Sequence, residues 1–219
     1  MRALALIMSV LMLIISPSGK VNIKGYRETP DEKKIYSYVQ VPKDYYADER
    51  WIGDWTDIES GGQKFFYFGC GVCCLSNMIS TLTPKVIAPD AMFELAKKQT
   101  DYNPDSGRGA LSWKQLRSIC EQAGLSAEVK RKPDDIDVFR RDVENSDTTL
   151  VLVCKDNDDK LWFYTNGHYV NLWKYNPETD TVFVTDSSGM FNRDRVQLED
   201  IYNALKTRSD AQYMTVKVH

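Results

Sequence analysis

Apolar positions recur at helical spacing from Cys74 through Leu75, Met78 and Ile79 to Leu82, which predicts a helix that begins near Cys70 and buries one face. Residues 89–99 repeat the pattern, with Pro89 in the first turn and Met92, Leu95 and Ala96 inward. Ser112-Trp113-Lys114-Gln115 spells a capping box that opens a third helix, and Gly124 closes it. A short strand at 127–129 and a fourth helix at 133–143 follow. The period then changes: residues 148–154, 167–174, 181–186 and 212–218 read as strands, interrupted by one helix at 198–205. Upstream, residues 35–41 alternate like a strand that Pro42 ends, and 43–68 is irregular and aromatic, with Trp51, Trp55 and a Gly61-Gly62 pair. Helices first and antiparallel strands second make an α+β pattern, whose two halves meet at a cleft suited to a site.

Composition narrows the class. The chain has 219 residues, 42% apolar and 27% charged, enough to bury a proper core. Net charge is −3 with no basic block, so nucleic acid is not expected as a partner. Residues 1–18 stand apart: Arg2, an apolar run from Ala3 to Ile15 broken by Ser9, then Ser16-Pro17-Ser18-Gly19. The run is short for a membrane span, so a signal peptide is expected, with an uncleaved anchor as the competing account and the only membrane contact. Residues 19–34 read as a polar linker, and 35–219 as one domain working outside the cytoplasm, where disulfides form. Five cysteines is an odd count, so internal pairing would leave at least one thiol over.

Cys70 is the candidate for that thiol. Any one cysteine taken alone is more often a buried core residue. Cys70, however, lies between Gly69 and Gly71 at a predicted helix start, where unpaired N–H groups and the helix dipole favour a thiolate and could hold an oxyanion. The two glycines would let a substrate backbone come close. Of the two histidines, His219 ends the sequence, which leaves His168 as the imidazole partner. His168 shares a strand face with Val170 and Leu172. If residues 175 and 181 pair at the mouth of the 176–180 turn, 170 faces 186 and Asp186 lies diagonally from His168, positioned to orient it. A one-residue slip would put Asp186 on the other face.

These residues also resemble a family. From about Val41 to Val218 the chain is similar to the bacteriocin-processing (double-glycine) cysteine peptidases and their exported relatives, which share the papain-like fold. The resemblance is carried by Gly69-Cys70-Gly71, Pro89 with Glu94-Leu95-Ala96, the stretch from Ser112 to Gly124-Leu125, Gly167-His168-Tyr169-Val170, and Val182-Phe183-Val184-Thr185-Asp186. It implies Cys70 as nucleophile, His168 as base and Asp186 as orienter. Departures are Val72-Cys73 where relatives carry Pro-Thr or Pro-Ala, and Ser187 where proline usually follows the aspartate. A glutamine upstream of the cysteine normally lends its amide to the oxyanion hole; Tyr46 stands at the matching place, and Gln63 is the nearest candidate. Papain-type enzymes proper carry Cys-Gly-x-Cys with the second cysteine attacking, which would make Cys73 the nucleophile. Its position a turn inside the helix disfavours a thiolate.

The resulting expectation is a cysteine peptidase acting on a peptide or protein substrate through a thioester on Cys70, with no cofactor and no metal. A zinc site from Cys70, Cys73, Cys120 and Cys154 has only one Cys-x-x-Cys pair and is not expected. The alternatives are a thiol-disulfide oxidoreductase using Cys70-Gly71-Val72-Cys73, which would lack its βαβ setting, a catalytically silent peptide-binding domain, and an acyl transferase to amines.

Overall fold

The computed structural model describes residues 26–28, 34–41, 53–106, 109–156, 161–189 and 195–219. The expected signal segment at 1–18 and the Tyr46 position lie outside the described residues. The stretch read as a linker contributes a strand, β1 (Tyr26–Glu28), which pairs antiparallel with β2 (Lys34–Tyr36). The strand expected over 35–41 stops at Tyr36. From Ser37 to Val41 the chain is buried but irregular; the Tyr38 N–H donates to the Asn77 side chain, the Val39 carbonyl accepts from Trp55 Nε1, and the Gln40 N–H donates to the Ser187 carbonyl.

Two short strands, β3 (Glu59–Ser60) and β4 (Gln63–Lys64), form a hairpin through Gly61 and Gly62, both at positive φ. The chain then turns into α1 (Phe65–Phe68) and, after Gly69, α2 (Cys70–Leu82). Gly69 has an ordinary helical φ of −73°, yet a Cβ on it would lie 2.3 Å from the Phe65 ring. Its lack of a side chain therefore serves packing at the α1–α2 junction. Next come α3 (Pro89–Gln99) and α4 (Trp113–Gln122), each with the bounds its pattern dictates. Both arms of the Ser112/Gln115 capping box form. Gly124 ends α4 at φ +85°.

Strand β5 (Leu125–Lys130) is longer than expected, and α5 (Ile136–Glu144) starts later than Pro133 because the Asp135 side chain caps it. The remaining elements are β6 (Thr148–Val153), β7 (His168–Asn176), β8 (Thr181–Thr185), β9 (Val196–Gln197), α6 (Leu198–Ala204) and β10 (Tyr213–Val218). Six strands make one antiparallel sheet in the order β5-β10-β6-β7-β8-β9.

Alternation along β7 sets the layers. Tyr169 and Trp173 pack with Cys74, Leu75 and Met78 of α2 and Leu116 of α4 on one face. Val170 and Leu172 pack with Phe139 of α5 and Leu198 and Ile201 of α6 on the other. The sheet is therefore covered on both faces, with the early helices on one and α5 and α6 on the other. All five cysteines are reduced and buried. Among the described residues no helix is long and apolar enough to cross a membrane.

A polar seam ties the cysteine helix to this frame. Asn77, fully buried in α2, accepts from the Tyr38 backbone N–H at 2.8 Å and donates to the Asn171 side chain of β7 at 3.3 Å. Asn77→Ala leaves a buried N–H unpaired beside a cavity and is expected to cost about 2–4 kcal/mol. Urea unfolding followed by far-UV circular dichroism checks this; a midpoint equal to wild type would show that the seam contributes nothing.

Candidate active site

Cys70 occupies the first position of α2, as the glycine-flanked start of the apolar stripe predicts. His168 opens β7, and Asp186 follows the last residue of β8. The His168 Nε2 lies 2.8 Å from Asp186 Oδ1, and both side chains are almost completely buried. With Nε2 committed to the carboxylate, Nδ1 is the nitrogen left to face the thiol, and Cys70 and His168 line the same cavity.

The register that allows this is made by a bulge. At the turn, Asn176 pairs with Thr181, one residue beyond the pairing expected there. A shift between Trp173 and Asn176, where Lys174 adopts φ +52°, absorbs the difference. Beyond it Trp173 faces Phe183 and Asn171 faces Thr185. Continued one step, that register sets 170 opposite 186 and puts Asp186 on the face of His168. Without the bulge Asp186 would fall on the opposite face.

Asp186 is held from every side. Its Oδ1 also accepts from the Ser188 N–H at 2.9 Å, and its Oδ2 accepts from Trp162 Nε1 at 3.0 Å and the Tyr164 hydroxyl at 3.4 Å. Four donors match the roughly four lone-pair sites of an ionised carboxylate. Trp162 and Tyr164 come from the loop before β7, and nothing in their spacing announces the role.

Electrostatics separates the thiols. Burial opposes ionisation of Cys70, but the hydrogen bond and charge of His168, with the backbone amides of Tyr169 and Gly71, outweigh it and lower its pKa. Burial pushes Cys73 and Cys74 well above the ordinary thiol range and Cys120 up to about 12. Cys70 is 7% exposed, whereas Cys73, Cys74 and Cys120 are 0%. For His168, burial disfavours the charge, yet Asp186 and Cys70 reverse this and raise the pKa to about 10. Both shifts run in the direction that favours a thiolate beside an imidazolium.

The glutamine expectation meets a different geometry. Gln63 sits in β4 with its side chain exposed and is not among the residues lining the cavities over Cys70. Gln40 is buried and lines a cavity of about 140 Å³ together with Cys70, His168, Tyr164 and Ser188. Its Nε2 donates to the Phe66 carbonyl at 2.6 Å and its Oε1 accepts from the Ser187 hydroxyl at 2.7 Å. A primary amide has two N–H donors, so one remains for a ligand. The signal in the sequence was a polar residue between two valines, in Val39-Gln40-Val41. The long stretch between it and Cys70 made Gln63 the nearer choice. Among the described residues, no three His, Cys, Asp or Glu side chains are grouped so as to hold a metal ion.

No family model and no curated protein matches the chain. Solved structures similar to it include peptidase domains. The peptidase domain of ComA, a bifunctional ABC transporter of Streptococcus in a quorum-sensing pathway, shares 11% identity over 69% of this chain and 92% of its own, with a TM-score of 0.47. A C39-like peptidase of Bacillus anthracis shares 13% over 69% and 89%, with a TM-score of 0.45. A double-glycine-motif protease from an AMS/PCAT transporter, solved with its leader peptide, shares 12% over 68% and 84%, with a TM-score of 0.39. Likeness at this level assigns no family, and the chemistry of the site is taken from its own geometry.

The paired charges make a titration the natural check. In ¹⁵N-detected NMR, His168 is expected to keep both ring protons through neutral pH and to lose one near pH 10. Asp186→Asn removes a raising influence and moves that titration to lower pH. A His168 that titrates near its ordinary 6.5 in both proteins would mean that the ion pair does not form.

Proposed function

We propose that the chain is a papain-like cysteine peptidase that cleaves peptide bonds through Cys70, His168 and Asp186. The observation that carries this reading is the depressed thiol of Cys70 against an imidazole that a buried carboxylate holds at 2.8 Å. In the proposed cycle the Cys70 sulfur attacks a peptide carbonyl, and the free N–H of the Gln40 amide, with first-turn backbone N–H groups of α2, receives the developing oxyanion. The imidazolium of His168 passes its proton to the leaving amine as the C–N bond breaks, leaving a thioester. Neutral His168 then takes a proton from water, whose oxygen attacks the thioester carbonyl. Cys70 leaves as the thiolate, with the imidazolium restored. Asp186 holds the ring in the orientation and tautomer that both half-reactions need.

The disulfide-exchange alternative gains nothing from the site. Cys73 lies inside the helix with its thiol pushed up by burial, and α2 packs on an antiparallel sheet. The apolar run at residues 3–15 supports an exported enzyme as part of the same proposal.

Digestion of a mixed peptide library, with new amine termini counted by mass spectrometry, tests the reading. Cys70→Ala is expected to abolish cleavage. His168→Ala is expected to lower kcat/KM by about 10³ or more, and Gln40→Ala by about 10², chiefly in kcat. Gln63→Ala is expected to behave as wild type. Cleavage that persists in Cys70→Ala, or a wild-type protein that neither cleaves nor forms a thioester, would overturn it.

A further inference from the structure

A second cleft of about 520 Å³ opens beside the thiol, in the range of small-ligand pockets. Its lining includes Cys70, Tyr67, Leu152, Gly167, Tyr169 and Lys206. Lys206 follows α6 and is the one charged residue among those that line it. The ammonium sits close over the backbone of the residue before His168: a Cβ built on Gly167 would lie 2.9 Å from Lys206 Nζ. The half-buried Lys206 side chain has no carboxylate partner among the described residues. Arg208, two residues further on, pairs instead with Asp156. A cation held partly out of water, with no counter-charge among the described residues, favours an anion at that place.

The two cavities also divide by side. The smaller one contains His168. In the proposed reaction His168 protonates the leaving amine, so the leaving chain belongs there. The larger cleft holds the sulfur but not the imidazole among its lining residues, which places it on the acyl side.

We propose that this cleft selects peptides with an acidic side chain, Asp or Glu, within the two residues before the cleaved bond, and that Lys206 is the residue that reads it. The inference rests on the peptidase reading. The carboxylate enters between the Tyr67 and Tyr169 rings and pairs with the ammonium above Gly167. Asn166, on the same wall, is a neutral hydrogen-bonding neighbour.

Peptidyl acyloxymethyl ketones test this without a natural cleavage site, since the position of each residue is fixed by synthesis. Probes carrying Glu, Gln or Lys at either of the two positions are compared by their rates of adduct formation on Cys70, mapped by mass spectrometry. The expected result is that at one of the positions Glu reacts about tenfold or more faster than Gln, as one partly buried ion pair provides. That ratio falls to about one in Lys206→Met, and Lys206→Glu reacts faster with the Lys probe. Equal rates for Glu and Gln, or a wild-type preference for Lys, with Cys70 still labelled, would overturn the inference and leave the peptidase reading standing. No adduct on Cys70 from any probe would overturn both.

Discussion

One carboxylate carries the site. Asp186 is out of water, and a buried anion is tolerable only when its lone pairs are met and a counter-charge is near. Trp162, Tyr164 and the Ser188 N–H meet three of its positions, and His168 takes the fourth. The raised pKa of the imidazole favours its cationic form, and that charge in turn lowers the pKa of the buried Cys70 thiol. Take the aspartate away and both later links weaken in turn, because each pKa shift in the chain depends on the one before it. Cys73 and Cys74, on the same helix, are pushed well above the ordinary thiol range, since burial acts on them with no cation to oppose it.

The carboxylate owes its place to strand register, which is set by a local irregularity. The β7–β8 hairpin closes one residue away from the pairing that the site needs. Lys174, in the left-handed region, takes up that residue. A non-glycine residue there costs some strain, which the surrounding sheet offsets. Below the site, Trp173 donates to Thr185, and Asn171 accepts from both Thr185 and Asn77. These bonds pin β7, β8 and α2 in one arrangement, so sulfur and imidazole are positioned by elements that cannot slide independently.

The longer helices and most strands were legible because each carried its own local signal: a 3.6-residue stripe, a capping box, a glycine past the end; α1 fell in a stretch read as irregular and carried none. The placing of Cys70 at a helix start was legible for the same reason as the longer helices, and His168 was the candidate imidazole because the sequence has only two histidines. Asp186 was reached through an assumed pairing at the hairpin mouth. That pairing differs from the observed one by a residue, yet the register next to the site agrees, since the bulge cancels the difference. What the sequence concealed depends on long-range contacts. Gln40 meets Ser187, far along the chain, and nothing local distinguishes it from other polar residues in apolar runs. The strand pairing of 26–28 with 34–36 was hidden by polar composition, and the covering of the second sheet face by α5 and α6 by the distance between them in sequence.

The glycines make a related point about inferring function from small residues. Gly69 and Gly71 flank the nucleophile, and both invited the reading that a substrate backbone needs the room. Gly69 is instead required by the Phe65 ring, which would collide with any Cβ there, whereas a Cβ on Gly71 would meet Leu111 and Tyr169 at 3.4 Å, close to ordinary contact. The glycine that borders the larger cleft is Gly167. Its missing side chain leaves the space into which Lys206 reaches, bringing a cation beside the reactive pair without touching it. The same sequence signal, glycine next to a reactive residue, thus serves helix packing in one place and an open charged cleft in another. Only the atoms around the absent Cβ distinguish the two.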